Sequence, residues 1–369
     1  MTETGELRLG FVPLNDAAPL LAAADKGFFA AEGLNVVLSR EVSWATVRDK
    51  VAAGALDGAH MLAPMVLAAS LGVGSERQAM IAPLALNLNG AAVTVSVDLA
   101  AEMRSLGGGG GARPLARALA ARRQGGAPAP TFAVVFPYSM HNYLLRYWMA
   151  EAGIDPDRDV RLAVAPPSRM AGHLAAGDIE GFCVGEPWNA VAERDGVGQV
   201  AVRASEVWRG GPEKVFGVTE AWAERNPEVL AALLRALVKA AAWADAAENR
   251  GDLVALLAEH VDAPPATIAG SLHDIDFHRD GAGVPQPVHA AWLLSQMMRW
   301  GQVAGDIDIA AVARRVYRPD LYAAAAAAIG DAAPILRTVA DSFFDGRGFQ
   351  MDAAMDYAAS LPLSRVARS

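Results

Sequence analysis

LRLGFVPLNDAAPLLAAADKGFFAAEGLNVVLSR, residues 7–40, carries the clearest structural pattern of this chain. It predicts a strand over Leu7–Val12, a helix that begins at Asn15-Asp16, and a second strand over Asn35–Ser39. A strand whose carboxyl end leads into a helix N-terminus is suited to binding a small anion, because free backbone N–H groups point outward there. The pattern therefore predicts a small-anion site near the start of the chain.

Short strand-like runs alternate with helix-like runs along much of the remaining sequence. The further predicted strands are Gly58–Met61, Ala91–Val97, Thr131–Phe136, Val160–Ala165, Gly181–Gly185, Val200–Arg203 and Val215–Thr219. Amphipathic stretches such as Asn142–Glu151 lie between them, and the chain is mostly helical from Pro227 onward. Strands that alternate with helices predict parallel sheets and the α/β fold class.

The overall composition limits both the size and the partners of the protein. With 369 residues, of which 53% are hydrophobic, the chain can bury substantial cores, and we expect two domains. A formal net charge of −9 argues against sequence-independent nucleic-acid binding, which requires a basic face. The same charge repels anions at long range, so an anion site here needs its own cation and its own aimed donors.

Several features favour a cytoplasmic protein that is not attached to a membrane. Residues 1–6, MTETGE, contain no basic segment, and no apolar segment with a cleavage site follows them. The alanine-rich runs at 231–247 and 323–328 are too charged or too short to span a bilayer. Cys183 is the only cysteine, which excludes an intrachain disulfide and suits a reducing compartment.

Three features that suggest cofactor, metal or catalytic chemistry do not meet its requirements. The run Gly107–Gly111 lacks the Gly-Lys-Ser/Thr ending of a phosphate-binding loop, and we expect it to flank a short arginine-rich helix. HDIDFH, residues 273–278, fits no zinc signature and predicts a polar loop. Cys183 lies in an apolar strand with no histidine and carboxylate placed to activate it. We therefore expect no cofactor, no bound metal and no enzymatic activity.

Two predicted helices begin with side chains that can donate to a ligand. Ser43 is a candidate N-cap for the helix that carries Trp44, whose indole N–H donates but never accepts. Packing between lobes is the alternative role for this tryptophan. Ser139 can cap the helix that carries His141 in its first turn, where a neutral imidazole can offer one N–H to an anion. A surface or capping role is the alternative for His141.

Three further segments at predicted strand ends supply candidate ligand residues. Asn89 and Gly90 precede a strand, where they suit either a tight turn or a ligand-binding edge. The sharp turn Gly-Glu-Pro-Trp can place Glu186 and Trp188 at a cleft. Lys214 is the only lysine between Lys50 and Lys239, although a solvated lysine is the commoner outcome in general.

Ordered blocks of sequence together resemble the nitrate/nitrite- and bicarbonate-binding family of periplasmic-binding-protein-like receptors. The opening block fits G-[FY]-x-P-x…A-P-L-x-x-A-x-x-K-G-F-F-x-x-E-G-L and is followed by SWATVRDKVAAGALDGAHMLAPM. The later blocks are HNYLLRYWMAEAGIDPDRDVRL, VAPPSRMAGHLAAGDIEGFCVGEPWN and WRGGPEKVFGVTEAWAERNP, and the similarity ends in SFFDGRGFQMDAAMDYAASLP. The resemblance covers nearly the whole chain and implies a two-lobed, type II periplasmic-binding-protein-like fold.

The pattern and the resemblance together predict two α/β lobes with a ligand cleft between them. Residues 1–90 and 217–369 would form lobe I, which is discontinuous and has a helical C-terminal part. Residues 91–216 would form lobe II. In open α/β sheets a ligand binds at the carboxyl ends of the strands, which in this arrangement face the cleft.

The resemblance also implies which side chains hold the ligand. In the nitrate-binding members a tryptophan, an amide, a histidine and a lysine bind the anion, and these roles fall on Trp44, Asn89, His141 and Lys214. The bicarbonate-binding members look to have an acidic residue at the lysine position, which works with bound calcium. Lys214 therefore favours nitrate or nitrite without metal. Nitrate offers only acceptor oxygens, so we expect a site made of donors and one cation.

The expected absence of a leader and of a lipid-attachment cysteine near the N-terminus departs from the transport members, and in this feature the chain resembles the cytoplasmic nitrate/nitrite sensors of the NasS type. That resemblance implies that the ligand-free protein sequesters a NasT-type antiterminator and releases it when nitrate or nitrite binds. The partner, and not this chain, would contact RNA. One alternative is the receptor of a nitrate, bicarbonate or sulfonate ABC importer whose leader is missing. Another is an enzyme on the same fold, such as a pyrimidine-synthesis relative of the thiamine pathway.

Overall fold

The structure is a computed structural model that describes residues 5–107, 111–303, 305, 307–332, 335–340 and 342–366. Residues 1–4 of the opening segment and residues 108–110 of the glycine run lie outside the described residues. The arginine-rich helix expected after that run is confirmed, at Arg113–Gln124.

The strands and helices follow each other along the described chain. The strands are β1 Leu7–Phe11, β2 Val36–Arg40, β3 Gly58–Leu62, β4 Met80–Asn89, β5 Ala91–Ser96, β6 Thr131–Val134, β7 Arg161–Val164, β8 Gly181–Gly185, β9 Gly198–Arg203, β10 Pro212–Thr219, β11 Ile275–Asp276, β12 Val339–Ala340 and β13 Phe349–Gln350. The α-helices are α1 Ala18–Asp25, α2 Phe28–Ala31, α3 Trp44–Ala52, α4 Ala63–Leu71, α5 Val97–Ser105, α6 Arg113–Gln124, α7 Met140–Glu151, α8 Met170–Ala175, α9 Trp188–Arg194, α10 Ala204–Val207, α11 Glu220–Arg225, α12 Pro227–Asp245, α13 Arg250–His260, α14 Pro265–Ser271, α15 Pro287–Arg299, α16 Ile309–Val316, α17 Pro319–Ala328 and α18 Ala354–Ser360.

Two separate sheets form the cores of the two lobes. Within the described residues the first sheet has the order β11-β4-β10-β3-β1-β2, and the second has the order β7-β6-β8-β5-β9. Strand β1 is parallel to β2 and β3, whereas β10 is antiparallel to both β3 and β4. In the second sheet β6 is parallel to β7 and β8, whereas β5 is antiparallel to β8 and β9. The expectation of parallel sheets is therefore confirmed only in part, since both sheets also contain antiparallel pairs.

The chain passes between the two sheets at two places. The first passage is the tight turn Asn89-Gly90 between β4 and β5, with φ of 60° and 83°. A Cβ on Gly90 would lie 2.6 Å from Ile275 Cγ1, so this turn requires glycine. The second passage joins β9 to β10. Because all of β10 belongs to the first sheet, the second lobe ends before Pro212, and residues 212–216 lie in lobe I rather than in lobe II.

The helical C-terminal part packs on the first sheet and its helices. Helix α12 contacts α1, α2 and α17, and α15 contacts α4, α16 and α18. Trp208 and Phe343 stack with ring centroids 4.6 Å apart, which anchors the passage after β9 against this helical part. In the part of the chain that the structure describes, every helix is too short or too polar to cross a lipid bilayer.

Candidate functional site

Lys214 lies at the centre of a buried group of charged side chains. Its Nζ atom is 2.7 Å from Asp16 Oδ2 and 2.6 Å from Glu213 Oε1, and all three side chains are at most 1% exposed. Burial alone would lower the pKa of Lys214, but the two carboxylates raise it above its ordinary value. An ammonium group has three N–H donors, so one remains after these two hydrogen bonds.

Two histidines complete this group, which we call the charge cluster. His60 Nε2 lies 2.9 Å from Asp16 Oδ1, and His141 Nε2 lies 2.9 Å from Glu213 Oε1. Neither contact has hydrogen-bond geometry, so His60 Nε2 and both ring nitrogens of His141 are buried without a hydrogen-bond partner. Burial lowers the pKa of His60, although Asp16 acts in the opposite direction. The charge cluster therefore consists of Asp16, His60, His141, Glu213 and Lys214.

Local sequence explains how Trp44 reaches the charge cluster. Ser43 caps α3, its Oγ accepting from the Thr46 N–H at 3.2 Å, as predicted. This cap fixes Trp44 at the first position of the helix, where it is 1% exposed. Lys214 Nζ lies 5.4 Å from the centre of the Trp44 ring, and the His60 ring meets it edge-on at 5.1 Å. The indole N–H has no hydrogen-bond partner.

His141 comes to the same place from the second lobe. Ser139 caps α7 through a 3.1 Å hydrogen bond from the Asn142 N–H, which confirms the predicted cap. His141 is fully buried in the first turn of this helix. Its contact with Glu213, on β10 of the first lobe, joins the two lobes at the charge cluster. The structure thus brings Trp44, His141 and Lys214 together.

Asn89 lies in a different setting. Its Nδ2 donates to Asp276 Oδ2 at 3.1 Å, and its Oδ1 accepts from the Gly210 N–H at 2.9 Å. Both ends of the amide therefore have protein partners, and the ligand-binding role of Asn89 stays a prediction. Asn87 is the amide beside the charge cluster, since it is the cross-strand partner of Lys214. It is fully buried, and its Oδ1 has no hydrogen-bond partner.

The other predicted ligand residues line the second lobe and the first passage. Gly90 accepts the Glu186 N–H at its carbonyl oxygen, which joins the two segments. The Glu186 carboxylate accepts from the Ala190 N–H at 3.2 Å and lies 3.9 Å from Arg203. Burial raises the pKa of Glu186 to about 7. Trp188 is 5% exposed, and its indole N–H has no hydrogen-bond partner. Their roles as ligand residues also stay predictions.

Sequence reasoning missed the two carboxylates and the second histidine. The sequence indicates Asp16 only as part of a helix start and Glu213 only as the neighbour of Lys214. It gives His60 no role beyond its position in a predicted strand. The charge cluster therefore contains two acceptors beside its donors, and the expectation of a ligand site made only of donors and one cation stays a prediction. Two acceptors hold the ammonium group in place. Burial would raise the pKa of Asp16, but Lys214 and His60 hold it well below its ordinary range.

The backbone of β8 comes close to the charge cluster at Gly185. A Cβ on Gly185 would lie 3.0 Å from Leu14 Cδ2, 3.2 Å from Asp16 Oδ2 and 3.7 Å from His141 Nε2. A side chain at this position would therefore be crowded against Leu14 and Asp16. Among the described residues, no three His, Cys, Asp or Glu side chains are arranged to hold a metal ion. Cys183 is a buried free thiol whose pKa burial raises.

Two lobes that meet at a buried polar site define the class of solute-binding proteins. The profile of the NMT1-like family matches residues 1–258, and the chain belongs to this family. The crystal structure of the periplasmic nitrate-binding protein NrtA from Synechocystis PCC 6803 is similar to it with a TM-score of 0.90 and 31% identity, over 97% of this chain and 99% of that one. The predicted two-lobed periplasmic-binding-protein fold is confirmed.

Two sequence relatives are similar over almost the whole chain. One is the nitrate/nitrite binding protein NrtA of Nostoc sp. PCC 7120, 33% identical over 99% of this chain and 87% of the relative. The other is the bicarbonate transport ATP-binding protein CmpC of Synechococcus elongatus, 36% identical over 98% of this chain and 56% of the relative. The chain thus spans about half the length of that second relative. The resemblance to the nitrate-binding group is confirmed, whereas the resemblance to NasS-type sensors stays a prediction.

Proposed function

We propose that this protein binds nitrate or nitrite at the charge cluster between its lobes. The observation that carries the proposal is a set of buried donors without protein partners in and beside the charge cluster. They are the indole N–H of Trp44, the ring of His141 and the third N–H of Lys214. A planar anion with acceptor oxygens can take all three, and a hydrogen bond to a charged group contributes about 1.5–3 kcal/mol. The names of the NrtA relatives support the same ligand.

Bicarbonate is the second candidate, and a particular feature of the site favours it. Asp16 and Glu213 are acceptors, and bicarbonate, unlike nitrate, carries an O–H group that can donate to a carboxylate. The similarity to a bicarbonate transport protein points the same way. Asp16 Oδ1 and Glu213 Oε2 are buried without a hydrogen-bond partner, so either can accept that O–H group. Nitrate and nitrite remain the primary proposal because the nitrate/nitrite binding protein of Nostoc is similar over 99% of this chain and the similar crystal structure is that of a nitrate-binding protein.

Calorimetric titration with nitrate, nitrite and bicarbonate tests the ligand. We expect micromolar to millimolar binding of nitrate or nitrite and weaker binding of bicarbonate. Trp44→Phe removes the indole N–H and should weaken nitrate binding. Trp148→Phe is the matched control, because Trp148 is equally buried and its N–H is equally without a partner, but it lies outside the charge cluster. Equal loss of binding in both variants, or no heat with any of the anions, would contradict the proposal.

We further propose that the protein acts as a cytoplasmic sensor that holds a NasT-type antiterminator when free of ligand. The contact between His141 and Glu213 supports such a switch, because an anion that enters there acts on both lobes at once. A ligand can shift an equilibrium between two forms only through its different affinity for them. Capture of the antiterminator by the free protein, and its release by nitrate, is the expected result. Equal capture with and without nitrate would contradict the sensor role.

The alternative role is that of a receptor for an ABC importer of nitrate. It is supported by the similar proteins, which include a periplasmic nitrate-binding protein and a bicarbonate transport protein. Fractionation of the cells that produce the protein distinguishes the two roles. Recovery with periplasmic markers supports the receptor, and recovery with cytoplasmic markers supports the sensor.

A further inference from the structure

Tyr138 of the second lobe lies against a glycine of the first lobe. Tyr138 belongs to the loop between β6 and α7, and Gly74 belongs to the turn between α4 and β4. A Cβ on Gly74 would come within 2.5 Å of Tyr138 Cε2 and 2.7 Å of Tyr138 Oη. The tyrosine ring therefore occupies the place that any other residue at position 74 would need for its side chain.

A second contact between the lobes lies beside the first. The Phe136 ring meets the Tyr138 ring edge-on, with centroids 5.8 Å apart. The guanidinium carbon of Arg48, on α3 of the first lobe, lies 5.6 Å from the centre of the Phe136 ring. Arg48 follows Trp44 by about one turn of α3, so the two side chains share one face of that helix. The two contacts thus join one loop of the second lobe to two segments of the first lobe.

Hydrogen bonds attach this loop to the start of α7. Ser139 Oγ donates to the Phe136 carbonyl oxygen at 2.7 Å. Asn142 Nδ2 donates to the Pro137 carbonyl oxygen, also at 2.7 Å. These bonds tie the residues just before Tyr138 to the first turn of α7, so the loop and the start of the helix should move as one unit. Because the Tyr138 ring packs on Phe136 of the same loop, a push on that ring acts on the whole unit.

The proposed anion site requires donors from both lobes. Trp44 on α3 and Lys214 on β10 belong to the first lobe, whereas His141 on α7 belongs to the second. Hydrogen bonds weaken steeply when their distances and angles depart from the preferred values. The position of α7 relative to the first lobe therefore sets how well His141 can share one ion with the other two donors.

We propose that Tyr138 and Gly74 are positioning residues for the anion site. Their contact holds the second lobe where His141, Trp44 and Lys214 can bind the same nitrate ion. The inference rests on the proposed function and deepens it. Neither residue touches the ion, and their contact acts on nitrate affinity only through the placement of α7.

Calorimetric titration of two glycine variants with nitrate tests the contact. Gly74→Ala places its Cβ against the Tyr138 ring and should raise the dissociation constant by about three- to tenfold, the loss expected from one aromatic contact. Gly54→Ala is the matched control, because Gly54 lies in the same lobe with a φ of 71°, against 73° for Gly74. No atom lies within 4 Å of the Cβ that is added to Gly54.

The same two variants separate a positioning role from a merely structural one. Both place alanine at a positive φ, so both should lose a similar free energy of unfolding in urea. Only Gly74→Ala should lose nitrate affinity as well. Equal nitrate dissociation constants for Gly74→Ala and Gly54→Ala would overturn the proposal.

Two variants of Tyr138 separate the ring from its hydroxyl group. Tyr138→Phe keeps the ring and should bind nitrate as the unaltered chain does, whereas Tyr138→Ala should bind it more weakly, again by about three- to tenfold. Gly74→Ala should have no further effect in a chain that already carries Tyr138→Ala, because the ring that its Cβ meets is gone. Additive losses of affinity in the double variant, or full affinity of Tyr138→Ala, would overturn the proposal.

A distance between the lobes provides a measurement that requires no ligand. Ala30 on α2 and Ala121 on α6 are exposed and Cys183 is buried, so cysteines introduced by Ala30→Cys and Ala121→Cys can be spin-labelled in the whole chain. In pulsed electron paramagnetic resonance, Gly74→Ala should shift or broaden the distribution of distances between the labels, and Gly54→Ala should leave it unchanged. Identical distributions in the two variants would overturn the proposal. Absence of nitrate binding to the unaltered chain would instead overturn the proposed function, while the label distances still decide whether the contact places the second lobe.

Discussion

The two lobes contribute very different sets of residues to the same site. The first lobe supplies Asp16, Trp44, His60, Glu213 and Lys214, in which charged groups hold one another in fixed positions. The second lobe supplies His141 and the close approach of the β8 backbone at Gly185. Substitutions of the first-lobe residues should therefore affect stability and nitrate binding together. Substitutions of the second-lobe residues should affect nitrate binding with a smaller loss of stability.

Lys214→Met should have the largest effect. It leaves Asp16 and Glu213 buried without their cation, and removal of one partner from a buried ion pair costs about 3–5 kcal/mol. We expect urea denaturation at pH 7 to show a loss of this size, together with loss of nitrate binding. Lys239→Met is the control, because its ion pair with Glu32 lies near the surface and should contribute less than about 1 kcal/mol. Equal free energies of unfolding for the two variants would contradict the claim that Lys214 holds the first-lobe carboxylates in place.

Glu186→Gln tests the second lobe through pH. The pKa of Glu186 is about 7 in the folded protein against an ordinary 4.5, so the folded state binds the proton more tightly than the unfolded state. Its contribution to stability is present below pH 4.5 and is lost as pH rises to about 7. Glutamine mimics the protonated form. The variant should therefore gain up to about 3 kcal/mol over the natural protein at pH 8, and little at pH 4.5. Denaturation curves with the same difference at both pH values would be inconsistent with this pKa.

His141→Ala should weaken nitrate binding by about 1–3 kcal/mol, the usual contribution of a lost charged or buried hydrogen bond. The affinity change can be read from calorimetry at pH 7. The same variant keeps the ion pairs of Lys214 with Asp16 and Glu213, because all three residues belong to the first lobe. If nitrate affinity is unchanged, the second lobe does not hold the anion through this ring.

Gly185→Ala should have the smallest effect. The added Cβ meets Leu14 and Asp16 at 3.0 and 3.2 Å, so it presses on Asp16, which holds Lys214. We expect nitrate binding to weaken by up to tenfold, or about 1.4 kcal/mol. Gly172→Ala on α8 is the control, because no atom lies within 4 Å of its added Cβ. Equal nitrate affinity of the two variants would show that crowding of Asp16 at Gly185 does not affect the ligand.

Local signals in the sequence were sufficient for much of the fold. The caps Ser43 and Ser139 and the strand Gly181–Gly185 follow from short-range chemistry and occur where predicted. Strand β4 was missed because it contains Pro83, which lacks a backbone N–H and argues against a strand interior. The antiparallel placement of β10 was missed as well, because pairing between distant strands has no local signature.

The site was predictable only in part, for a similar reason. Trp44, His141 and Lys214 were identified through their setting and the family resemblance. Asp16 and Lys214 are 198 residues apart in the sequence. The sequence around either residue therefore does not indicate their ion pair. Asn87 and Asn89 stand two positions apart, and only the register of β4 against β10 shows which of them is opposite Lys214.

A crystal structure of the protein grown with nitrate tests the central claim most directly. We expect planar density within hydrogen-bond distance of Lys214 Nζ, the Trp44 indole nitrogen and a ring nitrogen of His141. Asp16 and Glu213 should still hold the ammonium group. Nitrate bound at another place, with the charge cluster closed and unchanged, would contradict the account.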